Sequence, residues 1–149
     1  MQAQIPMTRR VLVVPPDLSL AAAWVVMQRD RIRHLPVVRD GALIGMLSDR
    51  DVLVRSHLDE TGRVLVRGEI TIGEAMTPAP LTTCHATTEV SHIVRLMTEQ
   101  KIDAVPVVRG PKLVGLVTST DLLLLLVKLD ESQVLPFEFD IVEERVAYA

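Results

Sequence analysis

A chain of 149 residues has the length of one ordinary domain, or of two small units that share a core. Apolar residues at 48% and charged residues at 23% predict a folded protein and argue against disorder. The net charge of −3 and an aromatic content of only 3% disfavour nucleic acid as a partner, and the single cysteine excludes a disulfide within the chain.

The first ten residues, MQAQIPMTRR, lack the apolar stretch of a secretory signal. No apolar run elsewhere approaches the roughly 20 residues that a membrane-spanning helix requires. We therefore expect a cytoplasmic protein without a membrane partner, in which residues 1–6 form an N-terminal extension.

A first structured unit is predicted over residues 7–56. It opens with a short strand near Val11–Val14 and continues with a helix that Asp17 and Ser19 are placed to cap. Two apolar stretches, PVV and LIGML, flank the turn RDGA and predict a strand hairpin, after which a second helix runs from Asp51. The apolar residues of the first helix follow the i, i+3, i+4, i+7 spacing of one helix face: Leu20, Ala23, Trp24 and Met27.

The same pattern returns 70 positions later. RIRHLPVVRDGALIGMLSDRDVL aligns with KIDAVPVVRGPKLVGLVTSTDLL without a gap, which defines a second unit over residues 74–129. The counterpart of the first strand falls near Leu81–Thr83, and residues 57–73 form a polar linker with a strand-like middle. These units predict an α/β fold of two pseudo-symmetric β-α-β-β-α repeats packed sheet to sheet, since each repeat alone leaves one sheet face bare.

Each repeat ends its hairpin with a glycine, a hydroxyl and an aspartate, in GMLSDRD and GLVTSTD. A hydroxyl before a helix start can cap the helix, and the exposed amides there favour phosphate. The aspartate three residues later offers two acceptor oxygens for the hydroxyls of a ribose. The alternative is a capping box, in which the same two side chains stabilise the helix and bind no ligand.

The two copies resemble tandem CBS domains, the pair called a Bateman module, over about residues 7–129. The resemblance lies in MT at Met7 and Met76, in PDLSLAAAWVVM, in RHLPVV and DAVPVV, and in the two Gly-x-x-(Ser/Thr)-x-x-Asp endings. It implies a stand-alone regulatory module that binds adenosine-containing ligands between its repeats and has no catalysis of its own. The ligands it implies are AMP, ADP, ATP or S-adenosylmethionine.

The resemblance also implies which residues bind. The hydroxyl and aspartate positions would contact phosphate and ribose, and the segment before the proline of each PVV would hold adenine. The resulting set comprises Ser48, Arg50, Asp51, Thr118, Thr120, Asp121, Ile32, Arg33, His34, Pro36, Ile102, Asp103, Ala104 and Pro106. The competing interpretation is a structural or partner-binding scaffold whose clefts take no nucleotide.

The two copies differ in charge. The first carries Arg50 beside its aspartate and four basic side chains before its hairpin: Arg29, Arg31, Arg33 and His34. The second has Thr120 in place of Arg50 and keeps only Lys101 among the basic positions. We therefore expect unequal sites, with phosphate-rich ligands favouring the pocket of the Arg50 copy. An ordinary solvated helix end remains the alternative role of these arginines.

Catalysis and metal binding have little support in the sequence. No histidine pair shows a metal-ligand spacing, and Ser48 has no recognisable base and orienting acid. We expect neither an enzyme nor a metal site.

The end of the second repeat predicts association. Five leucines, Leu122–Leu126, cover every side of the last helix, and such a helix has to be buried on all sides. The resemblance implies disc-like homodimers formed through these helices, and burial under the C-terminal tail is the alternative.

The acidic tail, residues 130–149, contains the stretch PFEFDIV, in which apolar and acidic residues alternate. This alternation suggests a strand with one buried face. The sequence does not identify the protein that the module regulates.

Overall fold

The computed structural model describes residues 1–129, so the expectations for the acidic tail lie outside the described residues. Two similar groups of elements stand 70 residues apart. The first group is α1 (Leu20–Asp30), β1 (His34–Arg39), β2 (Ala42–Ser48) and α2 (Asp49–Leu53), and the second is α4 (Val90–Gln100), β6 (Ala104–Arg109), β7 (Lys112–Thr118) and α5 (Ser119–Leu129). Between them lie β3 (Ser56–Leu58), β4 (Val64–Val66), α3 (Ile72–Ala75) and β5 (Thr77–Pro78).

The two hairpins join in one antiparallel sheet with strand order β1-β2-β7-β6. They are joined where β2 pairs with β7, through the single residue pair Ala42 and Lys112. Each hairpin carries a register shift at the same place, after Val37 in one and after Val107 in the other. The mixed α/β class with two pseudo-symmetric repeats is therefore confirmed, down to matching irregularities.

The opening strand of each repeat, predicted near Val11–Val14 and Leu81–Thr83, is reduced to a single bridge. Val14 forms one parallel bridge with Val37, and Cys84 forms one with Val107. In the first repeat, the two prolines after Val14 have no amide hydrogen to continue a ladder. In the second, the His85 amide donates to the Thr88 hydroxyl at 2.9 Å, so the chain turns away from the sheet. Cys84 itself is buried, which raises the pKa of its thiol to about 11.

Each repeat has its own apolar core, and each core also contains residues from the segment that precedes the other repeat. Ile72 and Ala75 are buried with the first repeat's core, beside residues such as Leu20 and Leu47. Ala3 is buried with the second repeat's core, with Met7 packed against it. Two segments, which we call the crossing segments, therefore pack across the pair: residues 3–8 against the second repeat and residues 72–78 against the first.

The crossing segments are fixed by backbone hydrogen bonds. Thr8 exchanges two with Leu116 of β7, at 2.8 and 3.0 Å. Thr77 and Pro78 form β5, which pairs with Met46 and Gly45 of β2. A methionine of each MT pair thereby lies against a glycine of the opposite hairpin.

These contacts explain the two glycines. A Cβ on Gly45 would overlap the Met76 sulfur and would lie 2.9 Å from the Thr77 carbonyl oxygen. A Cβ on Gly115 would lie 2.8 Å from the Met7 sulfur and 3.2 Å from the Thr8 carbonyl oxygen. At both positions an added Cβ would collide with a methionine side chain, and only at Gly45 would it also lie closer than 3.0 Å to a backbone oxygen.

Gly45→Ala should therefore lower the free energy of unfolding by about 1–3 kcal/mol, the usual cost of overpacking. Gly115→Ala should cost less, because its added Cβ would lie 3.2 Å from the nearest backbone oxygen, compared with 2.9 Å at Gly45. Gly68→Ala is the control, since an added Cβ there meets nothing within 4 Å. Urea unfolding of the three variants tests this order, and a Gly45→Ala variant as stable as Gly68→Ala would contradict it.

Candidate functional site

Two clefts lie between the repeats, and each takes walls from both. The first cleft has a volume of about 400 Å³ and combines the start of α2 with the segment leading into β6. A third wall is formed by Thr77, near the end of its crossing segment, and by the residues that follow that segment. The first cleft is lined by His34, Met46, Ser48, Asp49, Arg50, Asp51, Thr77, Pro80, Leu81, Thr82, Gln100, Lys101, Ile102, Asp103, Ala104 and Pro106.

The second cleft is its pseudo-symmetric counterpart, with a volume of about 610 Å³. It combines the start of α5 with the segment leading into β1, and the chain after Met7 supplies the third wall. The second cleft is lined by Thr8, Arg10, Val11, Leu12, Asp30, Arg31, Ile32, Arg33, His34, Leu116, Thr118, Thr120 and Asp121.

The structure brings thirteen of the fourteen candidate residues to these two clefts. The exception is Pro36, which is fully buried in β1 and lines neither. Sequence reasoning missed the third wall of each cleft, represented by Arg10 and Thr82. The MT pairs were visible in the sequence, but nothing there indicated that each one crosses to the opposite repeat.

The hydroxyl and aspartate of each repeat form a capping box. The Ser48 amide and hydroxyl donate to Asp51 Oδ2 at 2.8 and 2.9 Å, and the Asp51 amide donates to Ser48 Oγ at 3.3 Å. Thr118 and Asp121 repeat this arrangement with distances of 2.8, 2.8 and 3.2 Å. Capping therefore uses one carboxylate oxygen, and the second oxygen remains for another partner.

That second oxygen differs between the clefts. Asp121 Oδ1 accepts a hydrogen bond from the Thr8 hydroxyl at 3.2 Å. Asp51 Oδ1 accepts none from residues 1–129. Since a carboxylate oxygen accepts two hydrogen bonds, both aspartates keep acceptor capacity for a ligand hydroxyl.

A third capping box shows that the motif does not depend on a cleft. The Thr71 amide and hydroxyl donate to Glu74 Oε2 at 2.7 and 2.9 Å, although neither residue lines a cleft. The hydrogen bonds from Thr71 lower the pKa of the Glu74 carboxyl. Position within the fold, and not the box itself, is what places Asp51 and Asp121 in the lining of a cleft.

The first turns of α2 and α5 differ in their free amides. The Arg50 amide donates to its neighbour Asp49 Oδ1 at 2.9 Å. In α5 the matching residues are Ser119 and Thr120, and the Thr120 amide has no acceptor among residues 1–129. Amides in the first turn of a helix lack intrahelical partners. Within the described part of the chain, the Thr120 amide therefore remains a free donor in the second cleft, whereas the matching Arg50 amide in the first cleft is already bonded to Asp49.

Charge also separates the clefts. Two cations, Arg50 and Lys101, face three carboxylates in the first cleft. In the second cleft, three arginines face two carboxylates, and one of these, Asp30, already pairs with Arg29 at 2.7 Å. Of the basic side chains before the first hairpin, Arg31, Arg33 and His34 therefore line the cleft of the second repeat's aspartate, and Arg29 lines neither cleft. From the sequence we expect phosphate-rich ligands in the pocket of the Arg50 copy, but more arginines line the cleft of Asp121, because each cleft combines opposite repeats.

His34 is the one side chain in the described part of the chain that lines both clefts. It is half-buried at the start of β1, opposite Ser48. Burial is the main cause that lowers the pKa of its imidazole, and Arg33 lowers it further. Asp49, Asp103 and Asp51 act in the opposite direction, with smaller effect.

The family comparison agrees with this architecture. The CBS domain family model matches residues 3–57 and 68–128, which together are most of the chain. The chain belongs to the CBS domain family. Its two repeats are therefore a tandem CBS pair, as the sequence predicted.

CBS relatives include both enzymes and proteins of similar size to this one. Inosine-5'-monophosphate dehydrogenase of Mycobacterium bovis is 38% identical over 108 residues, 71% of this chain but only 18% of the dehydrogenase. The similarity covers the CBS part of that enzyme and not the rest of it. The CBS domain-containing protein YhcV of Bacillus subtilis is 31% identical over 116 residues, 78% of this chain and 79% of YhcV.

Two solved CBS structures with ligands are also similar. The CBS domain pair of protein MJ0100, in complex with 5'-methylthioadenosine and S-adenosyl-L-methionine, has a TM-score of 0.69 at 26% identity. That likeness covers 84% of this chain and 98% of the other. CBSX2 in complex with AMP has a TM-score of 0.71 at 25% identity, covering 89% of this chain and 99% of CBSX2.

Two other kinds of site are not seen in residues 1–129 of this CBS pair. No three histidine, cysteine, aspartate or glutamate side chains in that range come together to hold a metal ion. None of the helices described in that range combines the length and the apolar character needed to cross a membrane.

Proposed function

We propose that this chain is a regulatory module that senses adenosine-containing ligands in its two clefts and has no catalytic role. The observation that supports this most strongly is the pairing within each cleft. A capped aspartate from one repeat lines the same cleft as the segment before the strand proline of the other, which contributes Ile102 to the first cleft and Ile32 to the second. Because adenine nucleotides are metabolites of the cell interior, we place the module in the cytoplasm, where it would control a partner protein.

Each wall of a cleft suits a different part of the ligand. The free acceptor capacity of Asp51 and Asp121 suits the two hydroxyls of a ribose. The apolar side chains of Ile102 and Ile32, next to backbone amide and carbonyl groups, suit the face and edge of adenine. The cleft volumes, about 400 and 610 Å³, are in the range of small-molecule sites.

The ligands of similar proteins support the same chemical class. The MJ0100 structure contains 5'-methylthioadenosine and S-adenosyl-L-methionine, and the CBSX2 structure contains AMP. All three molecules share the adenosine group that both clefts here would recognise, and they differ in what is attached to it.

That difference is the basis for assigning the two clefts. A chain of phosphates fits the second cleft, which has three arginines and the free Thr120 amide. The first cleft, with three carboxylates and its Arg50 amide bonded to Asp49, suits an adenosine ligand with little negative charge. We therefore propose that ATP prefers the second cleft.

Asp51→Asn and Asp121→Asn test ribose recognition. Asparagine keeps the acceptor that caps the helix but loses the charge and one acceptor, so each change should lower AMP affinity in its own cleft about tenfold. Glu74→Gln is the matched control, because it makes the same change in the capping box outside the clefts. Isothermal titration with AMP and thermal unfolding of all three variants give both readouts.

A scaffold whose clefts take no nucleotide predicts a different result. The wild-type protein would then give no heat with AMP, ADP, ATP or S-adenosylmethionine. AMP binding that is equally strong in Asp51→Asn, Asp121→Asn and Glu74→Gln would also contradict the proposed sites.

Arg33→Gln and Arg50→Gln test the assignment of ATP to the second cleft. Arg33→Gln should weaken ATP binding about tenfold, because it removes a charge-assisted contact to phosphate. Arg50→Gln should have a smaller effect, and adenosine binding should change little in either variant. Arg39→Gln controls for net charge, since Arg39 is exposed, pairs with Asp17 and lines neither cleft. A larger loss of ATP affinity in Arg50→Gln would reverse the assignment.

We also propose that the chain forms a homodimer through α5. No residue of this helix is fully buried, and its outer side presents a row of exposed apolar side chains: Leu123, Leu124, Leu126, Val127 and Leu129. Leu122 instead packs on the second repeat's core. An apolar helix face of this size, left uncovered by residues 1–129, is typical of an association surface.

Leu123→Glu should therefore convert a dimer into a monomer, because a carboxylate would be buried without a partner at the interface. Ile5→Glu is the control, since Ile5 and Leu123 are both 63% exposed and Ile5 lies outside the helices. Light scattering after size exclusion measures the mass of each. A monomeric wild-type protein, or an unchanged mass for Leu123→Glu, would contradict the dimer.

A further inference from the structure

His34 breaks the symmetry between the two clefts. The equivalent residue in the second repeat is Ala104, which pairs with Thr118 as His34 pairs with Ser48. Ala104 lines only the first cleft, whereas His34 lines both. His34 thus borders both clefts and carries a titratable ring where the second repeat has a methyl group.

The charges around His34 have opposite signs on its two sides. Towards the first cleft lie Asp49 and Asp51 of α2 and Asp103, which precedes β6, with Arg50 and Lys101 in the same lining. Towards the second cleft lies Arg33, in a lining that also holds Arg10, Arg31, Asp30 and Asp121. Burial and Arg33 favour the neutral ring, so the imidazole carries little charge at neutral pH before a ligand binds.

We propose that His34 links the occupancy of the two clefts: a phosphate bound beside it in the second cleft draws a proton onto the imidazole, and the resulting cation favours an anionic ligand in the first cleft. The proposal rests on the proposed binding of adenosine ligands. The proton comes from solvent and goes to the free ring nitrogen, and no bond between heavy atoms forms or breaks. Because linkage is reciprocal, an anionic ligand in the first cleft would favour phosphate binding in the second by the same factor.

The sign of the pH dependence follows from this linkage. The ligand-free protein has a lowered imidazole pKa, and bound phosphate would raise it. Binding then takes up a proton, so AMP affinity should be highest at low pH and should fall as the pH rises through the pKa of the complex. A sulfonium ligand would show the reverse coupling, because its positive charge opposes the imidazolium.

Nuclear magnetic resonance tests the proton directly. The chain has four histidines, so the Cε1–H resonance that disappears in His34→Gln identifies His34. Saturating AMP should raise the pKa of His34 by about one unit, equivalent to about a tenfold preference of AMP for the protonated protein. Adenosine, which lacks the phosphate, should leave it unchanged, and His57, His85 and His92 serve as internal references.

Calorimetry tests the coupling between clefts. At pH 6.5, the second AMP should bind the wild-type chain about fivefold more tightly, relative to independent sites, and His34→Gln should lose this cooperativity. Cooperativity that persists in His34→Gln, or AMP binding without a change in the His34 pKa, would overturn the coupling while leaving nucleotide binding intact. Failure of AMP to bind would overturn the coupling, and failure of ADP, ATP and S-adenosylmethionine as well would overturn the proposed function.

Discussion

The close contact between the MT pairs and the hairpin glycines is the constraint on which the rest of the molecule depends. Gly45 and Gly115 have no side chain, so Met76 and Met7 can lie directly on the opposite repeat. This contact fixes the crossing segments to the sheet and buries Ala3 in the second repeat's core and Ala75 in the first repeat's core. The chain that leaves each crossing segment then becomes one wall of a cleft.

Under the proposed function, capping and ligand recognition would use the same side chains without competing. The capping boxes at Ser48 and Thr118 use one oxygen of each aspartate and fix the carboxylate in place before any ligand arrives. A preorganised acceptor loses less entropy on binding than a mobile one. Duplication then yields two similar acceptors, while substitutions around them, such as Ser119 for Asp49, allow the two clefts to differ in the ligand that they prefer.

Much of the fold, and 13 of the 28 residues that line the clefts, could be predicted from the sequence, because the repeat aligns without a gap and each motif recurs in register. The length of the opening strands could not be predicted. Val14 and Cys84 each form a single bridge, because prolines follow Val14 and a side-chain hydrogen bond turns the chain after Cys84. The distribution of charge between the clefts also could not be predicted. Arg33 belongs to the first repeat but lines the second cleft, and only the packing of one repeat against the other shows this.

The central claim is that each cleft binds adenosine through a capped aspartate, with the phosphates of ATP in the second cleft. A crystal structure of the protein soaked with ATP tests it most directly. The account predicts ribose hydroxyls within hydrogen-bond distance of Asp121 and phosphate oxygens beside Arg33 and the Thr120 amide. Phosphates bound beside Arg50, or ATP bound away from both clefts, would contradict the account.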